Sequence, residues 1–167
     1  MFALSTFLPY RLAVLSERIS RRLAVEYEAL HGLGLAEWRV LVHLQRCGKV
    51  SVREIHDCVN LEKPRVSRAV SRLEGQGIVE KVPAPDDGRL VAISLTPVGR
   101  QALDRILPAV QAVEARLLAA ITPAEQAAFL DILERMHAVL DADPAARSRS
   151  RMDVTAPFDS DRTTEDA

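Results

Sequence analysis

The sequence predicts a mainly α-helical fold with one small β-hairpin. Apolar residues recur at three- and four-residue spacing through long segments near both ends of the chain, which is the period of an amphipathic helix. Helix-start signals stand at Ser51–Glu54, Thr96–Pro97 and Thr122–Glu125, whereas residues 78–95 resemble two strands separated by turn-forming residues. With 167 residues and 48% hydrophobic content the chain can bury one core, and it has no run of about 18 apolar residues that would span a membrane.

Long helices are predicted on both sides of the centre. The apolar residues of the first are Leu8, Leu12, Leu15, Ile19, Leu23, Tyr27 and Leu30. Thr96 caps the next long helix, with Pro97 at its first position, and Pro108 is expected to kink it. Thr122 and Glu125 form a capping box that starts the last helix. The apolar residues of these two helices are Leu103, Ile106, Leu107, Val110, Val113, Leu117, Leu118, Ile121, Phe129, Ile132, Leu133, Met136 and Leu140.

The centre of the chain predicts a helix-turn-helix. Ser51 and Glu54 form a capping box for a short helix, and residues 58–63 have the length of a turn between two helices. The buried face of the second helix is predicted to consist of Val66, Ala69, Val70 and Leu73. Pro64 is expected in its first turn, because deeper in a helix the proline ring would clash with a carbonyl group.

The opposite face of that second helix is basic. It carries Arg65, Arg68 and Arg72, interleaved with the small hydroxyl residues Ser67 and Ser71. Residues 63–72 hold four bases and no acid. Such a helix suits insertion into the DNA major groove. The alternative is a solvated face that binds nothing, since surface arginines are common.

The strands predicted at residues 78–82 and 90–95 flank a turn that contains Asp87 and Arg89. A hairpin with Arg89 at its tip is a wing, able to reach a phosphate or the minor groove beside the helix. Asp87 is expected to orient Arg89 or a neighbouring helix. The predicted DNA-binding residues are therefore Lys63, Arg65, Ser67, Arg68, Ser71, Arg72, Asp87 and Arg89.

The order and spacing of these motifs resemble the MarR (multiple antibiotic resistance regulator) family from about Leu8 to Leu140. The segments that carry the resemblance are Glu37-Trp38-Arg39-Val40-Leu41, Val66-Ser67-Arg68, Arg72-Leu73-Glu74, Asp86-Asp87-Gly88-Arg89, and Leu95-Thr96 with Gly99. Two positions depart from the family pattern. Gly88 replaces a basic residue of the wing, which weakens the contacts expected there, and Pro64 stands where Ser or Thr is usual.

The resemblance implies a winged helix-turn-helix at residues 35–95, with dimerisation helices at 8–31 and 97–142, all within one domain at residues 1–142. It implies a homodimeric transcriptional regulator, commonly a repressor, that binds an inverted-repeat operator in double-stranded DNA and is released by a small effector such as an aromatic acid. Residues 143–167 are poor in aliphatic side chains and are expected to form a disordered tail. No catalytic motif appears, so neither an enzyme nor a cofactor is expected. A dimeric adaptor without DNA binding remains an alternative.

Effector-site candidates are Trp38, which would wall a cleft, and Arg18 or Arg22, which would pair with a carboxylate. Their alternatives are a core position for Trp38 and solvated or interfacial positions for the arginines. Cys47 and Cys58 offer a redox switch, although buried, inert thiols are the default expectation.

The remaining composition restricts other functions. The histidines His31, His43, His56 and His137 show no i, i+4 pair, so no metal site is expected. The net charge is −1, so a nucleic-acid interface has to be local. No basic segment precedes the apolar residues at the N-terminus, so a secretory signal is not expected. We therefore expect a cytoplasmic location.

Overall fold

The computed structural model describes residues 2–83, 91–148 and 150. Its elements are a 3₁₀ turn at Leu4–Thr6, α1 at Leu8–His31, α2 at Leu35–Cys47, α3 at Val52–Cys58, α4 at Lys63–Gly75, β1 at Val79–Pro83, β2 at Val91–Leu95, α5 at Pro97–Leu118 and α6 at Pro123–Asp141. The two strands pair antiparallel, with Val79 opposite Leu95. The predicted fold class, mainly α with a small two-stranded wing on a helix-turn-helix, is confirmed.

The helices begin where the capping signals predict. Ser51 Oγ accepts from the backbone N–H of Glu54 at 3.2 Å, and Glu54 Oε2 accepts from the backbone N–H of Ser51 at 2.7 Å. The same reciprocal pair joins Thr122 and Glu125 at the start of α6. Pro64 is the second residue of α4, within its first turn as expected. These starts are determined by side chains three residues away, which explains why sequence alone locates them.

The start of α5 packs directly against the start of β1. Thr96 Oγ1 accepts from the Gly99 N–H at 3.0 Å and donates to the Gly77 carbonyl at 2.7 Å. A Cβ at position 99 would overlap the Ile78 carbonyl oxygen, so only glycine permits this approach. The wing is thereby held between α4 and α5.

The core lies beneath α4. Val66, Ala69, Val70 and Leu73 are all buried, which confirms the predicted apolar face. They pack with buried residues from other elements, among them Leu41, Ile55, Ile93, Leu103 and Ile106. Among pairs of helices, α2 packs chiefly on α4 and α1 chiefly on α5. The arrangement holds the opposite face of α4 toward solvent in a defined orientation.

The long helices extend beyond this core. α5 continues through Pro108 to Leu118, so that proline does not end the helix. No single helix in the described ranges is long and apolar enough to cross a membrane, and α5 with α6 meets that test only as a pair bent by 100°.

Exposed apolar side chains are concentrated along the N-terminal half of α1 and along α6. On α1, Leu8 and Leu15 are exposed although Tyr27 further along the same face is buried. On α6 no described residue is buried, and Phe129 and Ile132 line an open groove of about 430 Å³. The protomer therefore presents more apolar surface than its own core covers.

Candidate nucleic-acid interface

The exposed face of α4 carries six of the predicted DNA-binding residues. They are Lys63, Arg65, Ser67, Arg68, Ser71 and Arg72, and each is exposed. Because four apolar residues on the other face are buried, the basic face cannot rotate away from solvent without exposing the core. The two-face division predicted from the sequence is confirmed.

Three of these residues lie opposite the start of α2, which is not among the predicted DNA-binding residues. Arg65, Arg68 and Arg72 line a cleft of about 380 Å³ whose other wall is the first turn of α2, residues 34–37. We call this space the arginine cleft. The first backbone N–H groups of a helix have no partner within the helix and lie at the positive end of its dipole. Guanidinium groups on one wall and such N–H groups on the other make a positive cleft that suits a phosphate.

One acidic residue belongs to the arginine cleft. Glu37 is 6% exposed, and its Oε2 accepts from the Gly34 N–H at 3.0 Å. Its Oε1 lies 3.4 Å from Nη1 of Arg72. Glu37 has no predicted role of its own and belongs only to the segment that carries the family resemblance. One feature of the sequence does point to Glu37: it lies three residues after Gly34, where an acidic side chain can accept a hydrogen bond from the backbone N–H that precedes the helix.

The turn between α3 and α4 is held by another residue without a predicted role. Nη1 of Arg39 donates to the carbonyl groups of Val59 and Asn60, both at 3.1 Å. Asn60 has φ of 49°, a left-handed conformation that Asn tolerates better than most residues. Arg39 on α2 therefore orients the helix-turn-helix, and no local signal relates it to residues 20 positions away.

The wing is described only at its base. Lys81 Nζ on β1 donates to Glu74 Oε2 at the end of α4, at 2.8 Å, so the hairpin is tied to the basic helix. Asp87 and Arg89, predicted at the turn, lie outside the described residues.

Among the cavities lined wholly by described residues, the one that Arg18 lines includes neither of the other two effector-site candidates. This cleft has a volume of about 410 Å³ and is also lined by Leu8 and Leu15. Arg22 pairs with Glu26 on its own helix at 2.6 Å.

Trp38 is half-buried and stacks on Tyr27, with ring centroids 5.6 Å apart and planes 10° apart. Burial raises the pKa of the Tyr27 hydroxyl above its ordinary value, and the nearby Glu28 carboxylate acts in the same direction. The stack joins α1 to α2, so Trp38 is a packing residue in the protomer.

The expectation of buried thiols is wrong for Cys47. This residue is exposed, because it is the last residue of α2 and lies beyond Leu44, the last buried one. Its Sγ is 3.8 Å from Nδ1 of the buried His43. Burial, with Arg46 acting in the same direction, lowers the pKa of His43. Cys58 is half-buried.

Described residues just after α6, at the start of the expected tail, make several hydrogen bonds. The backbone N–H groups of Ala145 and Ala146 donate to the side chain and the carbonyl of Asp143, at 2.9 and 3.0 Å. Arg147 Nη1 lies 2.8 Å from Oε1 of Glu62, the residue that precedes α4. Residues 149 and 151–167 lie outside the described ranges.

Comparison with known proteins agrees with this geometry. Residues 31–90 match the MarR family. Over 114 residues the chain is 30% identical to YwoH, an uncharacterized HTH-type transcriptional regulator of Bacillus subtilis (strain 168), a match that covers 68% of this chain and 82% of YwoH.

Solved structures are similar too, as two of them illustrate. A transcriptional regulator of the MarR family from Silicibacter pomeroyi is 29% identical, with 85% of this chain and 95% of that one covered and a TM-score of 0.69. A mutant MarR from E. coli, complexed with operator DNA, has the same fold at 22% identity, with 77% and 92% covered and a TM-score of 0.70. With the helix-turn-helix and the strands of its wing in place, the family match and the relatives of 29% and 30% identity establish that the chain belongs to the MarR family, a family of transcriptional regulators and not of enzymes.

Proposed function

We propose that the protein is a homodimeric, sequence-specific regulator that inserts α4 into the major groove of an inverted-repeat operator. The arginine cleft is the observation that carries this proposal. It concentrates three guanidinium groups at one place, although the whole chain has a net charge of −1. A local positive surface on a helix of this kind is typical of specific operator binders.

In the proposed complex α4 reads base edges and phosphates. Its guanidinium groups match the paired acceptors of guanine or two oxygens of a phosphate. The first turn of α2 then lies beside the DNA backbone, where its N–H groups stabilise a phosphate. Ser67 and Ser71 leave room for the close approach that base contacts require.

The wing extends the same surface. β1 follows α4 closely, because the backbone N–H of Ile78 donates to the Leu73 carbonyl at 2.9 Å and Lys81 pairs with Glu74. We assign Arg89 to a phosphate or to the minor groove. Asp87 orients Arg89.

The uncovered apolar surfaces of α1 and α6 supply the dimer interface. Burying such surfaces against a second copy removes them from water. A twofold axis then presents two copies of α4 to half-sites about 10 base pairs apart, which a single copy cannot read. Residues 8–31 and 97–142 are the proposed dimerisation segments.

As regulation we propose repression in the cytoplasm that is relieved by a small effector, with aromatic acids as the first class to test. Any ligand that changes the distance between the two copies of α4 changes DNA affinity. The stack of Trp38 on Tyr27 couples α1 to α2, so a ligand that displaces α1 acts on the helix-turn-helix. Arg18 and Arg22 remain the candidate carboxylate partners. A thermal-shift screen of aromatic acids tests this regulation, because a ligand that binds the folded protein raises its melting temperature.

DNA binding is tested with Arg68→Ala. Loss of one base- or phosphate-contacting arginine is expected to weaken binding by about 1–3 kcal/mol with little change in melting temperature. Arg46→Ala is the matched control, because Arg46 is exposed at the far end of α2, about 14 Å along the helix from Glu37, the nearest α2 residue of the arginine cleft.

Gel-shift titrations at several salt concentrations give the measurement. An operator binder loses affinity steeply as salt rises, whereas a dimeric adaptor shows no such binding. Equal affinity of the Arg68→Ala variant and the wild type would mean that the arginines of α4 form a solvated face.

A further inference from the structure

We infer that Glu37 is a positioning residue of the DNA interface, whose buried carboxylate aims the Arg72 guanidinium and so restricts the group on DNA that Arg72 contacts. This inference rests on the proposed DNA-binding function. It assigns a specificity role to an acidic residue on α2 that does not belong to the basic face of α4.

The Glu37 carboxylate is itself held in place. Its side chain is 8% exposed, and one oxygen is occupied by the backbone N–H of Gly34. A buried carboxylate is stable only when its oxygens have partners. Here one oxygen closes the first turn of α2, so the other oxygen has a nearly constant direction, toward Arg72.

Of the three arginines in the cleft, Arg72 is the one that the described contacts pair with a side chain of another helix, α2. Its Nη1 is 3.4 Å from Glu37 Oε1, and the side chain is still 59% exposed. Arg68 donates through Nε to the Pro64 carbonyl of its own helix at 3.2 Å. For Arg65, the described part of the chain provides no side-chain partner.

This difference matters for recognition. An arginine has five N–H donors, so the contact with Glu37 leaves others free for DNA. A guanidinium already held in one direction loses less freedom on binding than a mobile one. Bidentate pairing with a base also demands a defined direction, whereas attraction to a phosphate tolerates many. Glu37 therefore favours one DNA contact of Arg72 over non-specific contacts.

The substitution Glu37→Gln separates the two contacts of the carboxylate. The amide oxygen of Gln still accepts from Gly34 N–H, but the negative charge opposite Arg72 is lost. Arg72 becomes free to turn toward the nearest phosphate. We expect the ratio of operator affinity to scrambled-duplex affinity to fall about threefold to tenfold, within the range of couplings measured between contacting residues. Binding to the scrambled duplex is expected to stay equal or to tighten.

The probe is a duplex that the wild-type protein selects from a randomised library, long enough for two half-sites about 10 base pairs apart. Affinities for this duplex and its scrambled counterpart are measured for Glu37→Gln in three backgrounds: wild type, Arg72→Ala and Arg65→Ala. The effect on the affinity ratio is expected to disappear with Arg72→Ala and to persist with Arg65→Ala. Arg65 is the matched control because it lines the same cleft without pairing with Glu37.

Several results would overturn the inference. An equal gain in affinity for both duplexes would show that Glu37 merely repels DNA, and an effect that persists with Arg72→Ala would show that it only caps α2. An unchanged ratio rejects the positioning role and leaves the proposed function intact. If the wild-type protein selects no duplex, both the proposed function and the positioning role are wrong.

A measurement on the wild-type protein covers the case in which Glu37→Gln does not fold. Nuclear magnetic resonance of the arginine Nε–H groups is expected to show a more ordered side chain at Arg72 than at Arg65 in the free protein. Equal mobility of the two side chains would overturn the inference without any substitution at position 37.

Discussion

The substitution Ile132→Glu is expected to split the proposed dimer while the protomer stays folded. Ile132 lies on α6 and is 42% exposed in the protomer, next to Phe129, which is 44% exposed. Because both side chains reach solvent in a single copy, a carboxylate at position 132 remains hydrated there. The cost of the substitution arises only when a second copy covers the groove.

The size of that cost follows from the symmetry of the dimer. Burying a polar group without a partner costs about 2 kcal/mol by protein mutational data, and an unpaired charge costs more. A twofold dimer buries the substituted residue in both copies. The expected loss is then at least about 4 kcal/mol of assembly free energy, which corresponds to roughly a thousandfold weaker association.

Sedimentation at micromolar concentration gives the test, with circular dichroism as the check on folding. Ile132→Leu is the matched control, since it keeps the apolar volume and is expected to stay dimeric. Operator binding is expected to fail with the glutamate variant, although the residue is distant in sequence from α4, because a monomer presents one reading helix. A variant that still sediments as a dimer would refute the assignment of α6 to the interface. A wild-type monomer that binds a palindromic duplex tightly would refute the dimeric mechanism.

Three further predictions concern the wing, a cysteine and a histidine. Arg89→Ala is expected to lower operator affinity, measured by fluorescence anisotropy, and to reduce the slope of log affinity against log salt concentration by about 1. Adding Asp87→Ala to the Arg89→Ala variant is expected to change nothing further. An unchanged slope would contradict a phosphate contact, and tighter binding by Asp87→Ala with the hairpin intact would point to charge repulsion. Cys47→Ser is expected to bind DNA like the wild type before and after peroxide treatment, because the lowered pKa of His43 leaves it uncharged and unable to stabilise a thiolate. Oxidation that weakens the wild type but spares the variant would establish a redox response instead. The buried His43 resists protonation, so the unfolded chain binds the proton first and stability falls as pH drops below the ordinary His43 pKa of 6.5. As the pH falls through this range, the melting temperature is expected to fall less for His43→Leu than for the wild type. An equal fall in both proteins would contradict the assignment of this pH dependence to His43.

Local interactions explain why so much of the fold was predictable from sequence. A capping box joins residues three positions apart, so Ser51 and Thr122 locate the starts of α3 and α6 without any knowledge of the tertiary structure. The helical period likewise separates the buried face of α4 from Arg65 and Arg68. The composition of α6 further indicates that its apolar side chains need a partner surface.

The tertiary structure decided what each of these surfaces meets. It placed the first turn of α2 across from α4 and brought Glu37 to Arg72, a pair separated by 35 positions that no helical or strand period relates. It directed Arg39 to the turn before α4 and left Cys47 in solvent at the end of α2. Periodicity gives the side of a helix on which a residue lies, but not the partner it contacts there. That partner depends on how the helices pack around the common core, which involves the whole chain at once.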